Sequence, residues 1–142
     1  LVWIDADQQF NYQQLCTLLE SGHDFCSGWY IKEMSGLAMV ADWDEDYFES
    51  NLHMKFHHQD EIRQREKPFE ASYCGFGFTK VASSIIRELE YPYFRQRMVT
   101  IGDHSENCSE DVTFCLDVWE KCGIKPTILP QLRVNHLKEM YI

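Results

Sequence analysis

The sequence predicts an α/β fold, in which helices are layered against a mixed β-sheet. The apolar run at residues 1–4 is followed at once by acidic residues and indicates a buried strand. In residues 110–122, apolar side chains recur at the spacing of one helix face. Short apolar runs typical of strands lie between this helix and the start of the chain. A chain of 142 residues fits one domain, which we assign to residues 1–142.

Local patterns predict the elements of the first half. We expect a short amphipathic helix at residues 12–19 that Gly22 ends. Strands are predicted at residues 24–31 and 37–42. Residues 51–68 are charged and irregular, and we interpret them as a mobile or substrate-facing loop. This loop carries three histidines whose spacing matches no standard zinc site, namely His53, His57 and His58.

The second half alternates between helix and strand patterns in the same way. Residues 71–74 look extended, and the Gly75-Phe76-Gly77-Phe78 segment that follows implies a tight backbone or a close approach by another group. Gly123 fits the C-terminal cap of the helix at residues 110–122. The other expected elements are a helix over residues 81–89, a polar loop at residues 101–107, and short strands at residues 128–129 and 132–134.

Composition narrows the functional classes. The 13 Lys and Arg and the 23 Asp and Glu residues give a net charge of −10. This charge disfavours broad binding of nucleic acid or of anionic membranes, which needs clustered basic residues. No apolar run approaches the roughly 20 residues that span a bilayer, so we expect no membrane span. The six cysteines form no CxxC pair and are interpreted as thiols of a reducing compartment, which predicts a cytoplasmic protein.

Two carboxylates follow the first predicted strand directly. Asp5 and Asp7 are separated by one residue, so they point to the same side of an extended strand. Acids at the carboxyl end of a strand lie where open α/β sheets bind ligands. Two such carboxylates repel each other unless a cation or hydrogen bonds hold them. The pattern is typical of a site for Mn²⁺ or Mg²⁺ with a phosphorylated ligand, and the alternative is a strand that simply ends in a polar loop.

Three further features carry candidate site residues. Glu110 and Asp111 begin the predicted helix, where acids either complement the helix dipole or act as a general base beside a pocket. His136 follows a short predicted strand, either as a surface histidine or as a nitrogen ligand of a metal site begun by Asp7. The segment at residues 75–78 lacks the pattern of a phosphate loop, so it is a packed turn or the lining of an acceptor pocket.

Four segments, taken in order, resemble motifs of the GT-A class of glycosyltransferases, in particular glycosyltransferase family 2. They are Asp5-Ala6-Asp7 for the DxD motif, Gly75-Phe76-Gly77-Phe78 for the acceptor segment, Glu110-Asp111 for the ED helix, and His136 for the late metal-binding histidine. The resemblance spans nearly the whole chain. It implies a GT-A-like, Rossmann-related mixed sheet flanked by helices. It also implies metal-dependent, inverting transfer of a sugar from a UDP- or GDP-sugar to a glycan or other hydroxyl acceptor.

The resemblance also implies a role for each of these residues. Asp7 and His136 would bind Mn²⁺ or Mg²⁺, and Asp5 would contact the donor ribose or the metal's waters. Asp111 would be the catalytic base, and Glu110 would help to hold the acceptor. The expected acceptor-binding residues are Trp29, Tyr30, Gly75, Phe76 and Gly77.

The chain departs from that family at its start. GT-A enzymes carry a β-α-β-α segment before the DxD motif that binds the nucleotide base, and residues 1–4 leave no room for it. We therefore expect the catalytic, acceptor-side portion of such an enzyme, flanked by a missing N-terminal segment, with residues 1–4 as an interior strand of a parallel sheet. Two other functions stay open. One is a HAD-type phosphatase that uses Asp5 and Asp7, and the other is a non-enzymatic acidic interaction module.

Overall fold

The computed structural model describes residues 1–32 and 35–137 and shows a mixed α/β architecture. Its helices are α1 (Tyr12–Glu20), α2 (Glu45–Asn51), α3 (Gln59–Arg63), α4 (Ser83–Glu88) and α5 (Glu110–Cys122). Its strands are β1 (Val2–Ile4), β2 (Gln8–Gln9), β3 (Phe25–Trp29), β4 (Leu37–Asp42), β5 (Lys55–His58), β6 (Phe69–Glu70), β7 (Tyr73–Cys74), β8 (Phe78–Val81), β9 (Arg97–Ile101), β10 (His104–Cys108), β11 (Thr127–Arg133) and β12 (Asn135–His136). The predicted α/β class is confirmed as a mixed sheet with several helices.

The central sheet has five strands in the order β1-β8-β3-β11-β6. Strands β3 and β11 run parallel, and the other neighbouring pairs run antiparallel. The register of β11 against β3 shifts between Ile128 and Arg133. This irregularity lies inside one continuous strand, where the sequence predicted two short ones.

Helices α1 and α5 cover opposite faces of this sheet. Side chains alternate across a strand, so neighbouring residues face opposite sides. Phe25 and Cys26 of β3 accordingly belong to two different buried clusters. The Phe25 cluster contains Phe114 of α5, and the Cys26 cluster contains Leu18 of α1. The two clusters therefore form two cores, one on each side of the sheet.

Three smaller sheets surround the central one. Strands β5, β4 and β7 form an antiparallel sheet in that order, and β9 and β10 form a hairpin. Strands β2 and β12 pair antiparallel, with His136 opposite Gln8. This last pair joins the segment after β1 to the segment after β11, two parts of the chain that lie more than 120 residues apart.

Strand β1 differs from its prediction. It runs antiparallel to β8 at the end of the central sheet, and no other strand of the described residues pairs with its second edge. Leu1, Val2 and Ile4 expose 61%, 37% and 38% of their surfaces. The prediction of an interior parallel strand is therefore wrong for the sheet of this chain. An apolar run by itself does not distinguish an edge strand from a central one.

Other boundaries differ for local reasons. The loop predicted at residues 101–107 belongs to the β9–β10 hairpin, whose largely exposed, polar residues on β10 give no apolar alternation. Residues 51–68 contain β5 and α3 instead of an irregular loop. His58 is an unusual N-cap residue for α3 and forms a capping box with Glu61. Val81 ends β8 and does not begin the following helix.

Several predicted elements are confirmed. Helix α5 and strand β4 have the predicted bounds, and Gly123 caps α5 with a φ of 68°, a conformation that favours glycine. Asn11 is the N-cap of helix α1, and its side chain forms a capping box with Gln14. Within the described part of the chain, no helix is both long and apolar enough to cross a membrane.

Candidate functional site

Asp7 and His136 meet directly in the structure, although 129 residues separate them. The pairing of β2 with β12 places them side by side, and the Leu137 N–H donates to the Asp7 carbonyl at 2.8 Å. Asp7 Oδ2 lies 2.7 Å from His136 Nε2, within hydrogen-bond distance. The His136 side chain is 21% exposed and that of Asp7 is 48% exposed, so the pair is open to solvent on one side.

Asp5 lies beside the glycine segment. Its N–H donates to the Gly77 carbonyl at 3.0 Å, and the Gly77 N–H donates to the Tyr30 hydroxyl at 3.3 Å. The Tyr30 ring lies 5.2 Å from the His136 ring, measured between centroids. The Asp motif, the glycine segment and the late histidine therefore lie close together in the structure.

Asp111 approaches the same place from the start of α5. Burial raises the pKa of its carboxyl above the ordinary value, and the charges of Glu110 and Asp5 raise it further. Burial also raises the pKa of Tyr30, and the charges of Asp5 and Asp111 add to that shift. Asp5, Tyr30 and Asp111 thus share one electrostatic environment. A carboxyl with a raised pKa beside other acids is typical of catalytic sites.

Tyr73 forms a hydrogen bond with Asp111. Its hydroxyl donates to Asp111 Oδ2 at 3.5 Å, and its ring is 3% exposed. This hydrogen bond stabilises the ionised carboxylate and so partly opposes the rise in the pKa of Asp111. The contact holds one carboxylate oxygen of Asp111 toward the buried Tyr73.

The glycines make room for the site. A Cβ on Gly77 would lie 2.6 Å from Gln8 Nε2 and 2.8 Å from Tyr30 Cε1. A Cβ on Gly75 would collide with the Tyr30 hydroxyl and lie 3.0 Å from Met39 Cβ. The sequence prediction of a close approach at this segment is therefore confirmed, and the approaching groups are Tyr30 and Gln8.

Some predicted acceptor-binding residues lie elsewhere. Trp29 is 1% exposed, and its indole N–H donates to the Pro130 carbonyl at 2.8 Å. Phe76 is 8% exposed and packs against Phe94 and Phe114 with ring centroids 5.2 and 4.9 Å apart. Both side chains belong to the core, so their burial argues against direct contact with an acceptor. Their apolar character carried no information about which side of the sheet they would face.

Glu110 is exposed at the first turn of α5, next to Asp111. The negative charge of Glu110 raises the pKa of the neighbouring Asp111 carboxyl, and Glu110 influences the site through this charge. Acids in the first turn also complement the helix dipole.

The three histidines of residues 51–68 contact residues other than those described above. The His57 side chain is 12% exposed and bridges two carboxylates, Asp42 at 2.9 Å and Glu61 at 3.6 Å. His58 caps α3, and His53 contacts the Met54 carbonyl. Their interpretation as parts of a substrate-facing loop is therefore not supported, because His57 and His58 hold the β5–α3 region together.

Sequence reasoning missed two residues of the site, Gln8 and Tyr73. Gln8 is 8% exposed, and its side chain approaches Gly77 next to the Tyr30 ring. Tyr73 lies on the short strand β7, and its contact with Asp111 depends on helix α5, which is distant in the chain. No signal in the sequence marked Gln8 as buried.

The donor set fits a divalent cation bound together with a ligand. Asp7 offers a carboxylate oxygen, which suits Mg²⁺ or Mn²⁺, and His136 offers an imidazole nitrogen, which suits transition metals such as Zn²⁺ or Fe²⁺. Their 2.7 Å separation is close to the about 3.0 Å between neighbouring ligands of an octahedral ion with bonds of about 2.1 Å. Among residues 1–32 and 35–137, no group of three or more His, Cys, Asp or Glu side chains could hold a metal ion. Two protein ligands would leave the remaining coordination positions of an ion to other molecules.

Comparison with known proteins gives a likeness of fold. No protein-family model and no curated protein matches the sequence. Among solved structures, the chain is similar to the crystal structure of A197 from STIV, with a TM-score of 0.54 and 18% sequence identity. The similarity covers 96% of this chain and 56% of that chain, so the present chain spans little more than half of the length of A197.

Proposed function

We propose that this chain is the catalytic, acceptor-side portion of a metal-dependent glycosyltransferase of the GT-A type. The observation that carries the proposal is the 2.7 Å contact between Asp7 and His136. The order of motifs led us to expect these two residues to share one cation, and their proximity supports that expectation. The neighbouring acids, Asp5 and Asp111, supply the other groups that an inverting sugar transfer needs.

Asp111 is the proposed general base. Its carboxylate would accept the proton of the acceptor hydroxyl as that oxygen attacks the anomeric carbon of the donor sugar. Burial and the charges of Glu110 and Asp5 raise the pKa of Asp111, which makes the carboxylate a stronger base than an exposed one. Tyr73 fixes the orientation of the carboxyl group through Oδ2.

Asp7 and His136 would hold Mn²⁺ or Mg²⁺ against the diphosphate of a UDP- or GDP-sugar, and Asp5 would contact the donor ribose or the metal's waters. When bound, the cation would neutralise the negative charge of the departing nucleoside diphosphate. Tyr30 and the open backbone of Gly75 and Gly77 would line the acceptor side, where a glycan or another hydroxyl compound binds. The free cysteine thiols are consistent with a reducing compartment, and we propose a cytoplasmic location.

The test is metal-dependent binding of a nucleotide. The complete natural polypeptide that contains these residues is melted with UDP or GDP, in Mn²⁺ or in EDTA. We expect a higher melting temperature only when Mn²⁺ and nucleotide are both present. Asp7→Asn should abolish this rise, whereas Asp103→Asn, an exposed acid in the β9–β10 turn, should retain it.

Two outcomes would point to the other functions. Turnover of p-nitrophenyl phosphate that Asp5→Asn abolishes would support a phosphatase in place of a transferase. Neither nucleotide binding nor phosphate release would support an acidic interaction module.

A further inference from the structure

The imidazole of His136 is oriented by two neighbours. Within residues 1–32 and 35–137, its side chain makes a single hydrogen bond, between Nε2 and Asp7 at 2.7 Å. A histidine that binds a metal usually has a second contact that fixes its ring, most often a hydrogen bond through the other nitrogen. Here the second neighbour is Tyr30, whose ring centroid lies 5.2 Å away at an interplanar angle of 55°. This separation is within the range of favourable aromatic pairs.

Tyr30 is itself held firmly in place. Its carbonyl accepts the Met39 N–H at 2.9 Å, and its hydroxyl accepts the Gly77 N–H at 3.3 Å. The residue is 6% exposed and belongs to the buried cluster that contains Leu18 of α1. Because the side chain is fixed at its backbone, its ring and its hydroxyl, it offers a rigid surface to the imidazole of His136.

The same ring also contacts the glycine segment. A Cβ on Gly77 would lie 2.8 Å from Tyr30 Cε1, and a Cβ on Gly75 would lie 3.0 Å from Tyr30 Cζ. The Gly77 carbonyl accepts the N–H of Asp5 at 3.0 Å. One aromatic ring therefore lies between the segment that holds Asp5 and the histidine that contacts Asp7.

We propose that Tyr30 is a positioning residue of the metal site, whose ring fixes the imidazole of His136 in the orientation in which Nε2 and Asp7 share one divalent cation. This assignment rests on the proposed function, because the cation is the one proposed there. The Tyr30 hydroxyl acts indirectly, since it anchors the ring to Gly77. The role requires no contact between Tyr30 and a substrate.

The test compares the Mn²⁺ affinity of variants that keep the ring with that of variants that remove it. Tyr30→Phe keeps the ring and loses the hydroxyl, whereas Tyr30→Leu removes the ring. The matched control is Leu18→Ala, which truncates another buried side chain of the same cluster. Mn²⁺ binding to the complete natural polypeptide is followed by electron paramagnetic resonance with UDP or GDP, at a temperature well below the melting temperature of each variant.

Tyr30→Leu should lower the Mn²⁺ affinity at least about tenfold, as loss of a partner that orients a metal ligand does. Tyr30→Phe should keep the Mn²⁺ affinity within about threefold of the wild type, because the ring still packs on His136. Its melting temperature should fall by roughly 2–8 °C, because the buried Gly77 N–H loses its acceptor. Leu18→Ala should also melt at a lower temperature and keep its Mn²⁺ affinity within about threefold.

A Tyr30→Leu protein that binds Mn²⁺ as tightly as Leu18→Ala would overturn the inference, since the ring would then contribute only to stability. Equal losses in Tyr30→Phe and Tyr30→Leu would also overturn it, because the hydroxyl and not the ring would then act on the site. Both results would leave the transferase proposal intact.

If Tyr30→Leu does not fold, Gly77→Ala decides, because its new Cβ would displace the Tyr30 ring. A several-fold lower Mn²⁺ affinity in Gly77→Ala would support the inference, and an unchanged affinity would overturn it. If the wild type binds no Mn²⁺ with either UDP or GDP, the proposed function itself fails and this inference fails with it.

Discussion

The glycine at position 77 offers a quantitative test of how the site is built. Its φ lies outside the left-handed region, so an alanine is acceptable to the backbone and any cost of Gly77→Ala is steric. The new Cβ would lie 2.8 Å from Tyr30 Cε1, against an ordinary carbon contact of about 3.5 Å or more. The Tyr30 ring, which is 6% exposed, would have to move by about 0.7 Å.

Such overpacking costs about 1–3 kcal/mol in free energy of unfolding. Because Tyr30 packs on His136, the displaced ring should also disturb the Asp7–His136 contact. Chemical denaturation measures the cost, and the chemical shifts of the His136 ring report the disturbance. Gly22→Ala is the control, since a Cβ there meets nothing within 4 Å and its cost comes from a positive φ alone.

A double-mutant cycle isolates the part of the cost that Tyr30 causes, because Gln8 Nε2 would also lie 2.6 Å from the new Cβ. Tyr30→Leu removes the ring that the new Cβ would strike, so the double variant should lose at least about 0.5 kcal/mol less than the sum of the two single variants. A cost of Gly77→Ala below about 0.5 kcal/mol, with unchanged His136 shifts, would refute this account of the packing. Strict additivity in the cycle would refute the role of Tyr30.

Three further predictions concern single residues. Asp111→Asn should lower turnover by about 10²–10⁴-fold, as loss of a general base does. Asp111→Asn should also stabilise the free protein at pH 7, because burial raises the pKa of Asp111 in the folded state. This gain in stability should shrink as the pH falls from the folded pKa to the unfolded value near 3.9. Equal melting temperatures of the two proteins at pH 7 would contradict this. His57→Gln should destabilise the protein at pH 7, because the hydrogen bond from His57 lowers the pKa of Asp42. This stabilisation is present above the unfolded pKa of Asp42 and is lost as the pH falls through its folded pKa, so a pH-independent difference in unfolding free energy would contradict it. Trp29→Phe should lower the free energy of unfolding by about 1–3 kcal/mol, because the Pro130 carbonyl loses its buried hydrogen-bond donor. The same substitution should leave acceptor affinity unchanged in a titration. Weaker acceptor binding by this variant would show that Trp29 takes part in acceptor binding after all.

Strong local signals explain what the sequence could predict of the fold. Helix α5 combines an apolar face, acids in its first turn and Gly123 at its end, so both of its bounds are set locally. The β9–β10 hairpin and β1 lack such signals. The hairpin exposes polar residues on both sides of β10, and β1 is an apolar strand at an edge, where burial depends on distant pairing.

The sequence could predict those residues of the candidate site whose side chains are acidic or carry an imidazole. Asp7, Asp111 and His136 stand out by type and position, and the sequence correctly placed Asp7 beside His136. Gln8 and Tyr73 owe their roles to burial and to neighbours distant in the chain, which residue type alone does not encode. Trp29 resembles an acceptor platform in the sequence but is a core residue, since aromatic side chains serve both purposes.

We propose that Asp7 and His136, whose side chains lie 2.7 Å apart, bind one divalent cation. The most direct measurement is the Mn²⁺ affinity of the complete natural polypeptide with UDP or GDP, followed by electron paramagnetic resonance. His136→Gln keeps a hydrogen-bond donor for Asp7 but removes the imidazole ligand, and His104→Gln is the exposed control on β10. We expect at least about a tenfold loss of Mn²⁺ affinity in His136→Gln and in Asp7→Asn, with none in His104→Gln. Unchanged affinity in both site variants, or no Mn²⁺ binding by the wild type, would contradict it.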